Sequence, residues 1–463
     1  MSRDTLADIY NSFNPFETAS KEAYVDCREV RGNWEVYQEL GKKIVLSDKP
    51  TCQLCSGHRG TGKSTELLRL KENLENRGFF VIYFAVDDQD IEPEDVEYAD
   101  ILMACTRHLV EAVKIEKHNP LLEWMQERWE SFKDLMMMEL SFEGLSLEQQ
   151  ISQFSKITAT IKAVPDKRRE IRQKINANTP SLVEALNDFI VKAEEYLSKK
   201  SQGKSSKKTP SQAPEYQGLV VIVDNLDRIV EVAEEGKPNN YQEIYLNRSE
   251  MLRSLKCHII YTVPIDVVYS DLATNFDTSY HNLEVVPMMM VRNPDGTINE
   301  AGLKKLRQLI SQRVGLVEPA LEKVLDEKID GLDITPMFDS PETLNQLCLM
   351  SGGHMRDLMK LIQGAIENVD QLPITAKAAK RAIDGFRETY RKAIQEHHWE
   401  ILAQANHCKD KKDDKEHLRL LRNRSLLEYR YYDDDDNLQI WCDVHPLIEA
   451  TPKFQSAISQ IQP

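Results

Sequence analysis

Residues 57–65 have the types and the spacing to bind a polyphosphate. They read Gly57-His58-Arg59-Gly60-Thr61-Gly62-Lys63-Ser64-Thr65, and the first eight match the pattern G-x-x-x-x-G-K-[ST]. Glycines let the backbone wrap a phosphate and aim its N–H groups at the oxygens. The Lys63 ammonium can then reach the β- and γ-phosphates, and the Ser64 hydroxyl can sit on Mg²⁺. The segment therefore predicts a site for ATP or ADP with Mg²⁺.

The segments on either side of this loop come in the order that such a loop requires. Thr51–Ser56 predicts a short buried strand before it, and Ser64–Leu74 predicts an amphipathic helix after it. Strand, loop and helix in this order place the phosphates at a helix N-terminus. The context favours a nucleotide site over a chance match of the pattern.

A second buried strand is predicted to end in an acid. Gly218–Asp224 contains five consecutive β-prone apolar residues and then a carboxylate. Asp224 could hold Mg²⁺ opposite Ser64, and Asp227 is the candidate for activating water. Many hydrolytic enzymes of this kind place a glutamate directly after the aspartate, whereas this chain has Asn225. The alternative is that Asp227 caps the following turn, so nucleotide binding is better supported than fast turnover.

The composition is that of a globular protein with two or three domains. The chain has 463 residues, of which 41% are hydrophobic and 29% are charged. The formal net charge of −16 disfavours non-specific binding to nucleic acid. One basic tract, Ser198–Lys208, contains five lysines (Lys199, Lys200, Lys204, Lys207 and Lys208) and is interpreted as a solvated linker.

Several classes of protein are disfavoured. No apolar run is long enough to span a membrane, and the first residues resemble no signal peptide. Eight scattered cysteines suit a reducing compartment, so we expect a cytoplasmic protein that has no membrane partner. No metal beyond Mg²⁺ is predicted.

Alternating strands and helices predict an α/β fold with a doubly wound parallel sheet. Phe80–Val86 and Cys257–Val263 are predicted as two more of its strands. The expected organisation is a lead-in at 1–50 followed by three domains. These are a nucleotide domain at 51–290 with a helical insertion and Lys/Ser-rich linker at 119–216, a helical lid at 291–372, and a helix plus a winged-helix-like domain at 373–463.

The C-terminal part is predicted to contain helices followed by a hairpin. One helix is expected to carry Ser351–Leu358 and a long one to run over Ala376–Ala405. Leu426–Tyr431 and Leu438–Val444 are predicted as paired strands around the turn Asp433–Asp436. Helices before a hairpin suggest a winged helix. Its four aspartates would repel DNA, so this surface is interpreted as facing protein.

Together these segments resemble the STAND and origin-recognition-like branch of the AAA+ P-loop ATPases. Val25-Asp26-Cys27-Arg28-Glu29 resembles the box that contacts adenine in that family, which implies an adenine contact for Arg28. It departs from the pattern by having Asp26 and Cys27 where small residues are common. Thr262 matches the sensor position at the end of the fourth strand.

Two C-terminal residues extend the resemblance. Gly352-Gly353-His354-Met355-Arg356 resembles the second sensor, whose arginine reaches the γ-phosphate, and the alternative is an ordinary surface arginine. Val444-His445-Pro446 resembles the histidine that contacts ADP in NLR-type proteins, and the alternative is a structural histidine. The resemblance thus implies roles for Arg356 and His445.

Two main functions remain open. The first is an ATP-binding and ATP-hydrolysing switch that oligomerises or engages a separate effector, as bacterial relatives do in antiviral defence. The alternative is a DNA-loading or remodelling ATPase of the initiator or transposition-regulator type. A scaffold with a structural nucleotide is a third option. A homo-oligomer would place a neighbour's arginine on the γ-phosphate, and the candidates are Arg248, Arg253 and Arg313.

Overall fold

The computed structural model describes residues 3–86, 91–115, 119–127, 146, 148–149, 152, 165–205, 215–232, 239–269, 273–318, 337–433 and 435–461. Much of the predicted insertion at 119–216, the distal lysines Lys207 and Lys208, and Asp434 of the predicted turn lie outside these ranges. The chain divides into two compact units. Unit one comprises Met1–Glu35, Gly57–Glu66 and Val285–Pro463, and unit two comprises Val36–Ser56 and Leu67–Glu284.

Unit two is built on a sheet with the order β2-β3-β4-β1-β5. The strands are β1 (Cys52–Ser56), β2 (Phe79–Ala85), β3 (Gly218–Asp224), β4 (His258–Thr262) and β5 (Asn282–Val285). The pairs β2–β3, β3–β4 and β1–β4 are parallel. The central strand β3 forms from a continuous run of apolar and β-branched residues that are buried on both faces. The predicted α/β fold with a doubly wound parallel sheet is confirmed, and β3 has the bounds predicted for it.

Helices surround this sheet. They are α2 (Lys42–Leu46), α3 (Lys63–Asn76, which begins in unit one), α4 (Tyr98–Ala112), α5 (Pro165–Ser205), α6 (Asn240–Gln242), α7 (Ser249–Arg253), α8 (Ile265–Val268) and α9 (Ala273–Ser279). Short π-helical turns cover Tyr37–Gly41 and Glu243–Asn247, and a 3₁₀ turn covers Leu226–Arg228.

The helix α5 belongs to the predicted insertion and is part of the main core of unit two. Leu182, Leu186, Phe189 and Ile190 are all fully buried, in the same cluster as apolar residues of β3. Their three- and four-residue spacing places them on one face of the helix. The predicted helical character of this segment is therefore confirmed from residue 165 onward. The interpretation of Ser198–Lys208 as a linker was wrong over 198–205, because these residues continue α5 to its end at Ser205.

Unit one contains α1 (Arg3–Ser12), a 3₁₀ turn (Arg28–Arg31), the phosphate loop, and a helical C-terminal region. That region comprises α10 (Glu300–Val317), α11 (Pro341–Met350), α12 (Met355–Ile366), α13 (Ala376–Ala393), α14 (His398–Cys408), α15 (Lys415–Arg422), α16 (Pro446–Glu449) and α17 (Pro452–Ile461). The strands β6 (Leu426–Tyr432) and β7 (Leu438–Val444) form an antiparallel hairpin. The predicted hairpin is thus confirmed. No helix among the described residues is long and apolar enough to cross a membrane.

Two helix predictions in this region were wrong. The helix expected over Ala376–Ala405 ends at Ala393, because Ile394 is extended, and α14 begins only at His398. The helix expected over Ser351–Leu358 is a turn followed by the start of α12. Gly352 and Gly353 have φ angles of +60° and +77°, a conformation that favours glycine and ends α11.

Candidate nucleotide site

The glycines of the phosphate loop adopt conformations that other residues rarely accept. Gly57, Gly60 and Gly62 have φ angles of +137°, +103° and +103°. A side chain at these positions would also clash with neighbouring atoms. A Cβ on Gly60 would lie 2.8 Å from Cε1 of His354, and one on Gly57 would lie 2.8 Å from the carbonyl oxygen of Val286. The glycines of the motif are therefore required by backbone geometry and by close packing within unit one.

Lys63 is held inside the loop. Its Nζ donates hydrogen bonds to the carbonyl oxygens of Gly57 at 2.8 Å and of His58 at 3.0 Å. Lys63 is also the first residue of α3, so Ser64 and Thr65 lie in the first turn of that helix. Thr65 Oγ1 accepts a hydrogen bond of 3.4 Å from the N–H of Ala19. An ammonium group and the N-terminus of a long helix together suit an anionic ligand.

His58 links the loop to the C-terminal hairpin. Its Nε2 accepts a hydrogen bond of 2.9 Å from the N–H of Glu428 in β6, and its Nδ1 has no protein partner among the described residues. Burial first, and then the nearby His354 and Lys63, hold the pKa of His58 well below its ordinary value. The ring is therefore neutral, with its proton on Nδ1.

The side chain of Arg31, a residue that the sequence did not single out, also meets the loop. It donates from Nη2 to the carbonyl oxygen of Thr61 at 2.6 Å and pairs through Nη1 with Glu66 at 3.3 Å, and it is buried. Arg28, the residue of the predicted adenine box, is half-exposed and pairs with Asp26 at 2.6 Å. The structure does not bring Arg28 to the loop, and its adenine contact stays a prediction.

The turn before α12 lies against the loop through main-chain atoms. The N–H of Arg356 donates to the carbonyl oxygen of Gly60 at 3.1 Å, and His354 Nε2 donates to that of Arg59 at 2.8 Å. The guanidinium of Arg356 donates from Nε to the carbonyl oxygen of Pro15 at 3.1 Å. The main chain of Arg356 is thus beside the loop, while the contact of its side chain with a γ-phosphate stays a prediction.

His445 belongs to a buried polar cluster around Asp357. The Asp357 carboxylate is contacted by Tyr390 at 2.5 Å, His354 at 3.0 Å, His445 at 3.2 Å and Arg424 at 3.3 Å. Burial alone would raise the pKa of Asp357, but its hydrogen-bonded and charged neighbours outweigh burial and hold that pKa well below its usual range. The cluster joins α12, α13 and the segments that flank the hairpin.

His445 caps a helix and stacks on a neighbouring ring. It is fully buried, its Nδ1 caps α16 by accepting the N–H of Leu447 at 3.2 Å, and its ring stacks on Tyr390 with centroids 4.3 Å apart. These contacts favour the structural alternative. A contact between His445 and ADP remains a prediction.

Asp224 lies at the end of β3 in unit two, as predicted. It is 1% exposed, and its carboxylate accepts hydrogen bonds of 2.7 Å from the Tyr83 hydroxyl and from the N–H of Asn225. Asn225 follows with φ +67°, and Asp227 lies within the 3₁₀ turn that Asn225 begins. Asp227 is therefore inside the turn rather than its cap.

Thr262 fixes this turn from the neighbouring strand. It is fully buried, and its Oγ1 accepts a hydrogen bond of 2.9 Å from the N–H of Leu226. The hydroxyl thereby sets the direction in which the chain leaves β3. The predicted sensor position is thus next to the acid-bearing turn, through a backbone contact.

Ser64 and Asp224 each have a side chain of a type that can hold Mg²⁺. Oxygen atoms from a hydroxyl and a carboxylate are the ligands this ion prefers. Ser64 lies in the first turn of α3, and the carboxylate of Asp224 accepts hydrogen bonds from Tyr83 and from the N–H of Asn225. Ser64 and Asp224 lie in different units, so their joint role as metal ligands stays a prediction.

One further group of metal-ligand types occurs among the described residues, namely His397, His398 and Glu416. Nδ1 of His398 accepts the N–H of Gln395 at 3.3 Å, so the ring proton lies on Nε2 and is donated to Glu416 at 2.7 Å. The group is thereby explained as a hydrogen-bonded cluster.

Three arginines are candidates for contacting the γ-phosphate in a neighbouring subunit, and their contacts differ. Arg313 donates from Nη1 to the carbonyl oxygen of Ser12 at 2.6 Å, which holds it within unit one and argues against that role. Arg248 pairs with Glu243 at 3.0 Å. Arg253 is exposed at the end of α7. A role of any of these arginines on a neighbour's γ-phosphate stays a prediction.

No protein-family model and no curated protein matches the chain. Among solved structures, it is similar to the ORC1 protein of Aeropyrum pernix in complex with DNA, at 12% identity and a TM-score of 0.39, over 97% of this chain and 96% of that chain. It is also similar to the ORC2 protein of Aeropyrum pernix with ADPNP and ADP, at 10% identity and a TM-score of 0.42, over 98% and 97% of the two chains. A third similar structure is Cdc6p from Pyrobaculum aerophilum, at 10% identity and a TM-score of 0.36, over 98% of each chain. Likenesses this weak support no inference about function.

Proposed function

We propose that this chain binds ATP and ADP with Mg²⁺ through residues 57–65 and hydrolyses ATP slowly. The observation that carries this proposal is the loop itself. Three glycines with positive φ surround a lysine whose ammonium is held by two loop carbonyls, at the start of a 14-residue helix. The N–H groups of such a loop are suited to phosphate oxygens.

Each residue has a separate part in this proposal. Lys63 neutralises the β- and γ-phosphates, and Ser64 and Asp224 hold the metal. Asp227 orients water, since it lies in the turn after β3 and is only half-buried. Mg²⁺, when bound, withdraws charge from the phosphates during transfer.

The same loop supports a role as a switch. Within unit one it contacts the lead-in through Arg31, the start of α12 through Arg356, and the hairpin through Glu428. A ligand that binds two arrangements of these segments with different affinity shifts the population between them. We propose that ATP and ADP act in this way.

Calorimetry with Mg²⁺ and either nucleotide tests the proposal. The unaltered chain should bind both, Lys63→Ala should lose affinity at least about a hundredfold, and Asp227→Ala should bind normally while hydrolysis slows. Asp224→Ala should reduce the dependence on Mg²⁺. Absence of heat with both nucleotides would overturn the assignment, and full turnover in Asp227→Ala would overturn the role of that residue.

A second candidate function is DNA binding by an initiator-type ATPase. The helix α15, directly before the hairpin, exposes Lys415 and Arg419 one turn apart. The net charge of −16 and the aspartates at the hairpin turn oppose this candidate. Anisotropy of labelled duplex DNA at increasing salt, with Lys415→Ala/Arg419→Ala beside the unaltered chain, tests it. Salt-sensitive binding that the double variant loses would support the candidate.

The homo-oligomer, the separate effector and the antiviral role are further proposals that rest on the resemblance alone. Sizing of the chain with ADP and with a non-hydrolysable ATP analogue, with and without DNA, separates them from the DNA candidate. Assembly with the analogue alone supports a switch that oligomerises. Assembly on DNA alone supports the initiator type.

A further inference from the structure

Arg31 is a buried cation of the lead-in that bonds to two parts of the phosphate-loop segment. It is 5% exposed. Its Nη2 donates a hydrogen bond of 2.6 Å to the carbonyl oxygen of Thr61, and its Nη1 pairs at 3.3 Å with Glu66 in the first turn of α3. The planar guanidinium can make both bonds at once, and a bond from a charged donor is stronger than one from a neutral donor. Arg31 therefore fixes the lead-in to the loop and to the helix that follows it.

The bond to Thr61 sets the direction of the next N–H group. The peptide between Thr61 and Gly62 is trans, so its carbonyl oxygen and its N–H point in opposite directions. While Arg31 holds the carbonyl oxygen, the N–H of Gly62 must point away from the guanidinium. Among the residues that the structure describes, none accepts a hydrogen bond from this N–H. The group is thus oriented and is available to a ligand.

The two preceding carbonyl oxygens of the loop are held in the same manner. That of Arg59 accepts a hydrogen bond of 2.8 Å from His354, and that of Gly60 accepts one of 3.1 Å from the N–H of Arg356. A carbonyl oxygen carries partial negative charge and repels a phosphate, so a loop that binds phosphate through its N–H groups must keep these oxygens engaged elsewhere. At Thr61 the guanidinium has this task.

We propose that Arg31 is a positioning residue of the nucleotide site, which acts through the Thr61–Gly62 peptide to direct the N–H of Gly62 at a phosphate oxygen. The inference rests on the proposed function. The guanidinium is engaged by Thr61 and Glu66, so its action requires no contact with the nucleotide. The backbone of such a loop cradles the α- and β-phosphates, which ADP and ATP share. Arg31 should therefore matter equally for both nucleotides.

Calorimetry with Mg²⁺ and either ADP or a non-hydrolysable ATP analogue tests the proposal. Arg31→Met/Glu66→Met removes the buried ion pair as a whole, which proteins often tolerate, and leaves the carbonyl oxygen of Thr61 without its donor. Both nucleotides should bind about tenfold more weakly, which corresponds to about 1.4 kcal/mol. Arg31→Gln/Glu66→Gln is a second variant with the same expectation, because a glutamine at 31 is too short to reach Thr61. Unchanged affinity in these variants, or a loss for the triphosphate alone, would overturn the proposal.

Two controls separate this role from a loss of stability. Glu66→Gln breaks the ion pair but keeps the guanidinium on Thr61, so its affinity should stay within about twofold of that of the unaltered chain. Arg307→Met removes another buried arginine of unit one, which is 9% exposed and donates from Nε to Asn345 in α11 at 2.8 Å. Urea unfolding of the same samples shows whether each variant is folded before it is titrated. An equal loss of affinity in Arg307→Met would overturn the role of Arg31.

Hydrolysis gives a readout that a structural role would not move. The N–H of Gly62 serves the ground state and the transition state alike, so the double variants should raise KM for ATP about tenfold and leave kcat within about twofold. A sample that is partly unfolded would instead show a lower kcat at an unchanged KM, and that result would contradict the proposal. An unaltered chain that binds no nucleotide would contradict the proposed function itself.

Discussion

Tyr390 donates a hydrogen bond of 2.5 Å from its hydroxyl to the carboxylate of Asp357, and both side chains are buried. The bond joins α13 to α12, whose first residues contact the phosphate loop. A buried carboxylate is stable only with enough partners, and here hydrogen-bonding and cationic groups hold its pKa low. The stability of the C-terminal region should therefore depend on this pair.

Removal of the Tyr390 hydroxyl should destabilise the protein. Tyr390→Phe deletes one hydrogen bond to a charged group and should lower the free energy of unfolding by about 1.5–3 kcal/mol. Asp357→Ala should lower it by about 3–5 kcal/mol, because the buried groups that contact the carboxylate then have no partner there. Urea unfolding measures both. Tyr432→Phe is the matched control, since Tyr432 is 50% exposed. Equal losses in the two tyrosine variants would contradict the importance of the buried bond.

Alanine at Gly60 should abolish nucleotide binding. The residue has φ +103°, and a Cβ would lie 2.8 Å from His354 and 2.9 Å from Cβ of Arg356. The loop would have to change shape, and calorimetry should detect no binding to Gly60→Ala. Gly385→Ala in α13 is the control, because nothing lies within 4 Å of its added Cβ. That control should gain up to about 1 kcal/mol of stability from helix propensity, and its nucleotide affinity should not change.

The strands and the motif were predictable because their signals are local. The bounds of β3 follow from a continuous apolar run that ends at an acid. The glycines of the loop are recognised by their spacing in the phosphate-loop pattern. The break between α13 and α14 was not predictable in this way, since no glycine or proline marks Ile394. Tertiary packing decided that boundary.

The partners of the loop could not be inferred from the motif. Position 58 is unconstrained in the pattern, yet its ring meets Glu428, which is 370 residues further along the chain. Arg31 reaches Thr61 across 30 residues, and no motif marks it in the sequence. Contacts of this kind are set by the topology of unit one, for which one sequence carries little information.

Valine at Thr262 should weaken both the fold and turnover. The substitution preserves the shape of the side chain but removes the acceptor for the N–H of Leu226, which is buried. An unsatisfied buried N–H costs about 1–3 kcal/mol. The turn that carries Asp227 should also shift, so kcat should fall further than nucleotide affinity does. Thr262→Ser keeps the hydroxyl and should restore kcat, and turnover in Thr262→Val equal to that of the unaltered chain would contradict this role.

Acid should destabilise the protein through histidines that are buried in neutral form. Burial is the main reason that the pKa values of His58, His354 and His445 lie below their ordinary value. As the pH falls below about 6.5, these histidines bind protons in the unfolded chain but not in the folded chain, so the free energy of unfolding falls. The low pKa of Asp357 acts in the same direction only below about pH 4.

The expected slope is up to about 1.4 kcal/mol per pH unit for each histidine. Urea midpoints measured between about pH 7.5 and pH 5.5 should decline accordingly. His58→Gln should reduce this slope by up to about 1.4 kcal/mol per pH unit, because one group fewer takes up a proton on unfolding. Glutamine can still accept the N–H of Glu428, but it does not titrate. A stability that does not change over this range, or a slope that His58→Gln leaves unaltered, would show that the His58 ring is not buried in its neutral form.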